Sequence, residues 1–203
     1  LLAQGASPNA RNQAGETPVF LAMQRGNREL ISLFPPSKIN LDDANAAGVT
    51  IPMLCAQAGD IQRLTQSLTD NNRPRRDHNG RNVLFYAATA SQSSVDMLDY
   101  LLKQHIELAS PTFTASPLYG ALTHGNHESA MHLLDAGCPF TGQDDAGNNL
   151  LMLAAGAGNL YLAQTLLEKG INLLAMNNEQ QTALSIASSR GHQAVADFLR
   201  ATG

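Results

Sequence analysis

His124, His127 and His132 crowd into the segment THGNHESAMH, the kind of cluster from which a metal site is built. A helix offers two histidines to one ion when they stand four residues apart. Here the intervals are three and five and Gly125 interposes a turn, so the spacing predicts no metal site. The two thiols, Cys55 and Cys138, lack a His and an acidic residue at any spacing that suggests a nucleophile. They sit too far apart to form a disulfide framework, and a reducing compartment, the cytoplasm, is the simpler reading. The run AAGAGN lacks both the Lys and the full spacing of a phosphate loop, so Gly156 to Asn159 merely end a helix. No catalytic set and no cofactor are expected.

Binding chemistry is better represented. Arg73, Arg75, Arg76, His78 and Arg81 fall within RPRRDHNGR, in a chain whose 13 basic and 17 acidic residues leave a net charge of -4. Arginines and aromatics dominate interface energies, and Tyr86 and Phe113 lie close by in the sequence. Two readings of the basic run stay open: a docking surface, or a solvated loop balanced by Asp70 and Asp77. Phe113 likewise either faces a partner or tucks beneath its own loop. The mild acidity disfavours nucleic acid and anionic membranes as partners, since both select a basic footprint. No stretch approaches the roughly 18 apolar residues that cross a bilayer.

The elements that must position these side chains repeat. Gly26, Gly59, Ser91, Gly125, Gly158 and Gly191 follow one another in steps of 33, 32, 34, 33 and 33 residues. Eleven residues before each stands a second marker: Gly15, Gly48, Gly80, Thr114, Gly147 and Gln180. A period in this range signals a stacked array in which each unit touches its neighbours, and it argues against a catalytic domain. Hydrophobic content of 43% suffices for a continuous core, although aromatics reach only 5% and tryptophan is absent. Leu, Ala, Ile and Met must therefore do the packing.

Aligned on the markers, the units read GETPVFLAMQRGN, GVTIPMLCAQAGD, GRNVLFYAATASQ, TASPLYGALTHGN, GNNLLMLAAGAGN and QQTALSIASSRGH. A second apolar run follows each, as in MLDYLL, AMHLL and LAQTLL. Thr17, Ser116 and Thr182 suit helix N-caps, and Pro18 and Pro117 suit the first helical position. Alanines at 22, 87, 88, 121, 154, 155 and 187 keep the first helix thin, and Cys55 occupies the same slot as a packing residue. The mid-repeat glycines should end that helix in a left-handed conformation. Helices of about 8–10 residues cannot stand alone in water, so stability must come from stacking.

Thr17-Pro18, Ser116-Pro117-Leu118, Gly191-His192, Leu133-Leu134, Leu166-Leu167, Gly5-Ala6, Gly137 and Gly170 resemble the ankyrin repeat, and the resemblance covers essentially the whole chain. It implies an all-α solenoid of stacked helix-turn-helix units with β-hairpin or loop fingers. It also gives a boundary scheme: a partial unit over 1–12, repeats over 13–44, 45–76, 77–110, 111–143 and 144–176, and a polar cap over 177–203. The partial first unit, starting on Leu1-Leu2, reads as a fragment of a longer protein.

There are departures from the family pattern. Phe20, Met53, Phe85, Tyr119, Met152 and Ser185 hold the slot usually given to His. Pro52 falls one residue late and should delay or distort its helix. SQSSVDML predicts a longer inter-helix loop, His105 stands where a turn glycine is normal, and Lys38 and Asp70-Asn71-Asn72 replace the Gly-Ala turn.

In this family partners dock on the concave side, on finger tips and first helices. Carried over by position, the tips supply His78, Arg81, Phe113, Asp145 and Asn148, and the helix ends Arg25 and His124. With Arg75, Arg76 and Tyr86 these form the expected partner-binding set. His192 is expected to be a structural hydrogen-bonding residue. The resemblance implies a non-catalytic module that binds another protein, expected as a monomer. The alternatives are a substrate-targeting arm of a larger enzyme and a self-associating array. Composition also suits a secreted bacterial effector, which would place the chain in a host cytosol.

Overall fold

The computed structural model describes residues 7–27, 30, 33–34, 40–91 and 95–203. Expectations resting on Leu1, Leu2, Gly5, Ala6, Lys38 and the inserted loop at 92–94 lie outside the described residues. The chain divides into two compact units, Leu1–Glu107 and Leu108–Gly203. Among the described residues the first carries helices α1 (Pro18–Gln24), α2 (Ile51–Gln57), α3 (Ile61–Ser67), α4 (Val83–Ala88) and α5 (Val95–Lys103). The second carries a 3-10 turn (Phe113–Ala115), then α6 (Pro117–Thr123), α7 (His127–Asp135), α8 (Leu150–Gly156), α9 (Leu160–Glu168), α10 (Ala183–Ser189) and α11 (Gln193–Thr202). The architecture is all-α, and β structure is limited to a single bridge between Ala44 and Thr50 among the described residues.

Each first helix opens three residues after its marker: α1, α2, α4, α6, α8 and α10 all keep this register. The caps explain it. Thr17 Oγ1 accepts the Phe20 amide at 3.3 Å, Asn82 Oδ1 the Phe85 amide at 3.2 Å and Asn149 Oδ1 the Met152 amide at 3.0 Å. Thr182 and Ser185 close a reciprocal pair, the Thr182 amide donating to Ser185 Oγ at 2.9 Å and the Ser185 amide to Thr182 Oγ1 at 3.3 Å. Ser116 departs from expectation: it makes no side-chain cap, and its hydroxyl lies 3.8 Å from Cys138 Sγ.

Pro52 does not delay its helix. Ile51 opens α2 and Pro52 takes the second position, where an amide has no intrahelical acceptor to lose.

In the first unit α2 packs between α1 and α4 and against its own partner α3, while α4 packs on α5. In the second, α8 lies between α6 and α10 and against α9, and α10 packs on α11. Leu84, Leu98, Leu101, Met53 and Leu64 are wholly buried in one core, and Leu118, Leu133, Leu151, Leu162 and Leu166 in the other. Ala22, Ala87, Ala121, Ala154 and Ala187 are buried where first helices meet. Cys55 and Cys138 are buried and free, and Cys55 packs as its alanine slot predicts.

The turn chemistry follows the markers. The mid-repeat glycines are left-handed, from φ 63° at Gly26 to 76° at Gly191. His105 takes the same region at φ 57°, in the place held by Gly137 and Gly170. In the turn after α3 the missing Gly-Ala pair is replaced by Asn72. Its Nδ2 donates to Ser67 O at 2.8 Å and Leu41 O at 3.0 Å, while its Oδ1 accepts the Thr69 amide at 2.8 Å.

Candidate functional site

Five of the six fingers are one small structure. Its anchor is an Asn or Asp three residues before the marker, whose side-chain oxygen accepts two amides, two and four residues on. Asn12 takes Ala14 and Glu16, Asn45 takes Ala47 and Val49, and Asp77 takes Asn79 and Arg81, all at 2.9–3.0 Å. Asp144 takes Ala146 at 3.0 Å and Asn148 at 2.8 Å, and Asn177 takes Glu179 at 3.0 Å and Gln181 at 2.9 Å. These side-chain turns hold the tip rigid without a ladder.

Within each unit, neighbouring side-chain-anchored fingers stack through one backbone bond per step. Ala46 donates to Ala14 O at 2.9 Å, His78 to Ala47 O at 2.9 Å and Asn178 to Ala146 O at 3.0 Å. The register is constant: two before the marker donates to one before the preceding marker. Gly147, at φ +79°, shows what this demands, because a Cβ there would lie 2.7 Å from Asn178 Oδ1. Gln180 adopts φ 59° at the corresponding place.

The fourth finger is built differently. A β-branched residue is a poor occupant of the left-handed region, and Thr114 instead sits within the 3-10 turn Phe113–Ala115. Phe113 is half-buried, edge-on to Tyr119 at 5.3 Å and 61°, with its ring over the Cα of Gly142, where a Cβ would come within 2.6 Å. Its shelter is the segment leading into the next finger, not its own loop.

The basic run separates into distinct environments. Arg76 Nη1 donates to Gly80 O at 3.0 Å and Nη2 to Glu107 Oε2 at 2.9 Å. Arg11 repeats the first of these contacts, on Gly15 O at 2.8 Å, and pairs with Asp43. Arg76 is thus a clamp of its own finger that sequence reading took for a contact residue; the shared placement four before the marker was the available signal. Arg81 lies over the Phe85 ring at 4.7 Å. Arg73 pairs with Asp70 at 3.0 Å. Arg75 and His78 are exposed at the base and tip of the finger.

Tyr86 is buried rather than displayed, and its hydroxyl donates to Asp77 Oδ2 at 2.8 Å. Burial, first, and that hydrogen bond push its phenol well above the usual range. Of the other expected residues, Arg25, His124 and Asp145 are exposed. Asn148 is half-buried and ties its finger to the next, accepting from Asn177 Nδ2 at 2.9 Å. His124 Nδ1 meets Gly120 O at 2.9 Å. His192 Nε2 meets Gly156 O at 3.1 Å, a hydrogen bond between successive repeats, as its place in the sequence predicts.

No group of three or more His, Cys, Asp or Glu side chains converges among the described residues as a metal site would. Burial pushes the Cys55 thiol up to about 12 and raises that of Cys138, so neither supplies a thiolate near neutrality. No helix among the described residues is long and apolar enough to cross a membrane.

Short helix pairs joined by left-handed turns, with stacked side-chain-anchored fingers between them, define a helical repeat protein. Residues 118–203 match the model of ankyrin repeats, in 3 copies. The chain is also 25% identical over 204 residues to SH3 and multiple ankyrin repeat domains protein 2 of Homo sapiens, covering 98% of this chain and 11% of that protein. Over residues 118–203 the chain is similar to the ankyrin repeat family, and over nearly its whole length to one ankyrin-repeat protein. Ankyrin repeats generally serve as protein–protein interaction modules and are generally non-catalytic.

Proposed function

We propose that this chain is a non-catalytic docking module that grips a partner protein with its finger tips and the exposed ends of its first helices. The observation that carries this reading is the side-chain-anchored turn repeated in three fingers of the first unit and two of the second, each presenting an exposed tip. In the first unit the contact residues are Arg25, Arg75, His78 and Arg81; in the second they are His124 and Asp145. Rigid tips lose little entropy on binding, which favours recognition by a preformed surface. Photo-crosslinking from position 78 and from position 161, on the outer side of a second helix, tests the assignment. Capture of a partner from 78 and not from 161 is expected. Equal yields from both sites would remove the finger surface from the account.

A second reading is that the array delivers a substrate to a catalytic domain elsewhere in a longer protein. It is supported by the relative's architecture, in which ankyrin repeats share one chain with a further domain and the stretch similar to this chain is 11% of the protein. Under either reading the module acts as a monomer in a reducing compartment, the cytoplasm or, for a bacterial effector, a host cytosol. Light scattering across a concentration series checks the monomer, and a rising mass would contradict it.

A further inference from the structure

Below the third finger, Arg73, Arg76, His105, Ile106 and Glu107 line a cleft of about 290 Å³. Two guanidinium groups and an imidazole line it beside the Glu107 carboxylate, and Asp70 holds Arg73 from outside the lining. Arg76 is held from one side by Gly80 O and from the other by Glu107, whose own side chain is 70% exposed. Arg73 reaches Asp70, a side chain 90% exposed, with one terminal nitrogen. Its Nε is buried and has no hydrogen-bond acceptor. The exposed Asp70 occupies only that terminal nitrogen, so the part-exposed guanidinium keeps a terminal donor for a second carboxylate. Ile106, itself buried, supplies an apolar floor that suits the methylene stem of a glutamate.

We infer that this cleft receives an acidic side chain of the partner, a glutamate or aspartate in an extended segment, with Arg73 as the vacant donor and Glu107 as the internal group it displaces. The inference rests on the docking reading above and specifies its chemistry. Charge complementarity supports it, since the chain carries a net -4 yet gathers these cations at one place. Glu107 then serves as a weak internal competitor. An exposed ion pair is worth well under 1 kcal/mol in most settings, so an incoming carboxylate can replace it.

The test is fluorescence anisotropy with labelled hexaglutamate, hexaglutamine and hexathymidylate probes at low salt. Hexaglutamate should bind and hexaglutamine should not. Arg73→Met should weaken hexaglutamate about tenfold, the loss of one charge-assisted hydrogen bond. Glu107→Gln should tighten it about threefold, the worth of an exposed ion pair. Glu168→Gln, the same charge change on the exposed end of α9, should leave it unaltered. If Arg73→Met fails to fold, the contrast between Glu107→Gln and Glu168→Gln decides alone. Equal responses from those two variants would reduce the effect to net charge and overturn the inference. So would hexathymidylate binding without hexaglutamate binding. Absent hexaglutamate binding alongside a successful crosslink from position 78 would discard the cleft and keep the docking module.

Discussion

The Tyr86 hydroxyl donates to Asp77 Oδ2 at 2.8 Å, so a residue inside first helix α4 is bolted to the anchor of its own finger. The other Asp77 oxygen already accepts the Asn79 and Arg81 amides. Finger three is thus fastened both to itself and to the helix behind it. Tyr86→Phe leaves a buried carboxylate oxygen short of a donor and should cost about 1–3 kcal/mol. Asp77→Asn should cost less, under about 1 kcal/mol, because Asn12, Asn45 and Asn177 anchor fingers with the same oxygen and an amide can still meet the phenol. Urea unfolding of the two variants checks the order; a more damaging Asp77→Asn would contradict it.

Stability should fall in alkali, and the buried thiol predicts where. Cys55 is shifted from 9.0 to about 12 in the native state, chiefly by burial. A group whose native value is raised contributes fully below its unfolded value and loses that contribution as pH climbs toward the native one. The loss begins near pH 9 and runs at up to about 1.4 kcal/mol per pH unit for one group. Tyr86 and Cys138 shift in the same direction and add to it. Unfolding free energies from urea titrations at about pH 8 and about pH 10.5 should differ by some 2 kcal/mol for Cys55 alone. Cys55→Ala, which restores the residue found at 22 and 121, should flatten that slope; an unchanged slope would show that the thiol does not titrate this way.

Two positions with one turn geometry should respond oppositely to glycine chemistry. Gly147→Ala places a Cβ 2.7 Å from Asn178 Oδ1 at φ +79°, so strain and the displaced finger should together cost about 2–3 kcal/mol. Gln180, at φ 59°, holds the corresponding place in the last finger of the chain. Gln180→Gly should stabilise by a few tenths to about 1 kcal/mol, as relief of the left-handed backbone slightly exceeds the added unfolded-chain entropy. Thermal melts of both variants check the signs, and a destabilised Gln180→Gly would show that its side chain makes a contact of value.

The repeat was legible in the sequence because its punctuation is backbone chemistry. Marker glycines, Pro18, Pro117 and the hydroxyl cap at Thr17 each act within one turn of the chain. The anchors Asn12, Asn45 and Asp77 act just as locally, and their spacing from the markers was there to be read. Asn82 and Asn149 cap α4 and α8 with a carboxamide oxygen in the place where Thr17 uses a hydroxyl, so the cap position is constant although its residue type is not. Arg76 and Tyr86 were harder. Each has the composition of a contact residue, and what internalises them is a partner brought by the fold: Glu107 from 31 residues away for one, a buried carboxylate for the other. Phe113 was undecidable from sequence, since the ring's shelter is Gly142, on the following finger.

The carbonyl of Gly156 receives two donors from the next repeat, His192 Nε2 at 3.1 Å and Arg190 Nη1 at 3.0 Å. Gly156 is buried at the end of α8, where a helix leaves carbonyls without intrahelical partners. Loss of either donor leaves the oxygen with one hydrogen bond, so His192→Ala and Arg190→Ala should each cost only about 0.5–1 kcal/mol. Loss of both strands a buried acceptor, and the double variant should cost about 2–3 kcal/mol, more than its two halves together. A double-mutant cycle by urea unfolding measures the excess directly. Strict additivity would mean that water or a neighbouring group satisfies the carbonyl, and that the two side chains hold successive repeats together by packing alone.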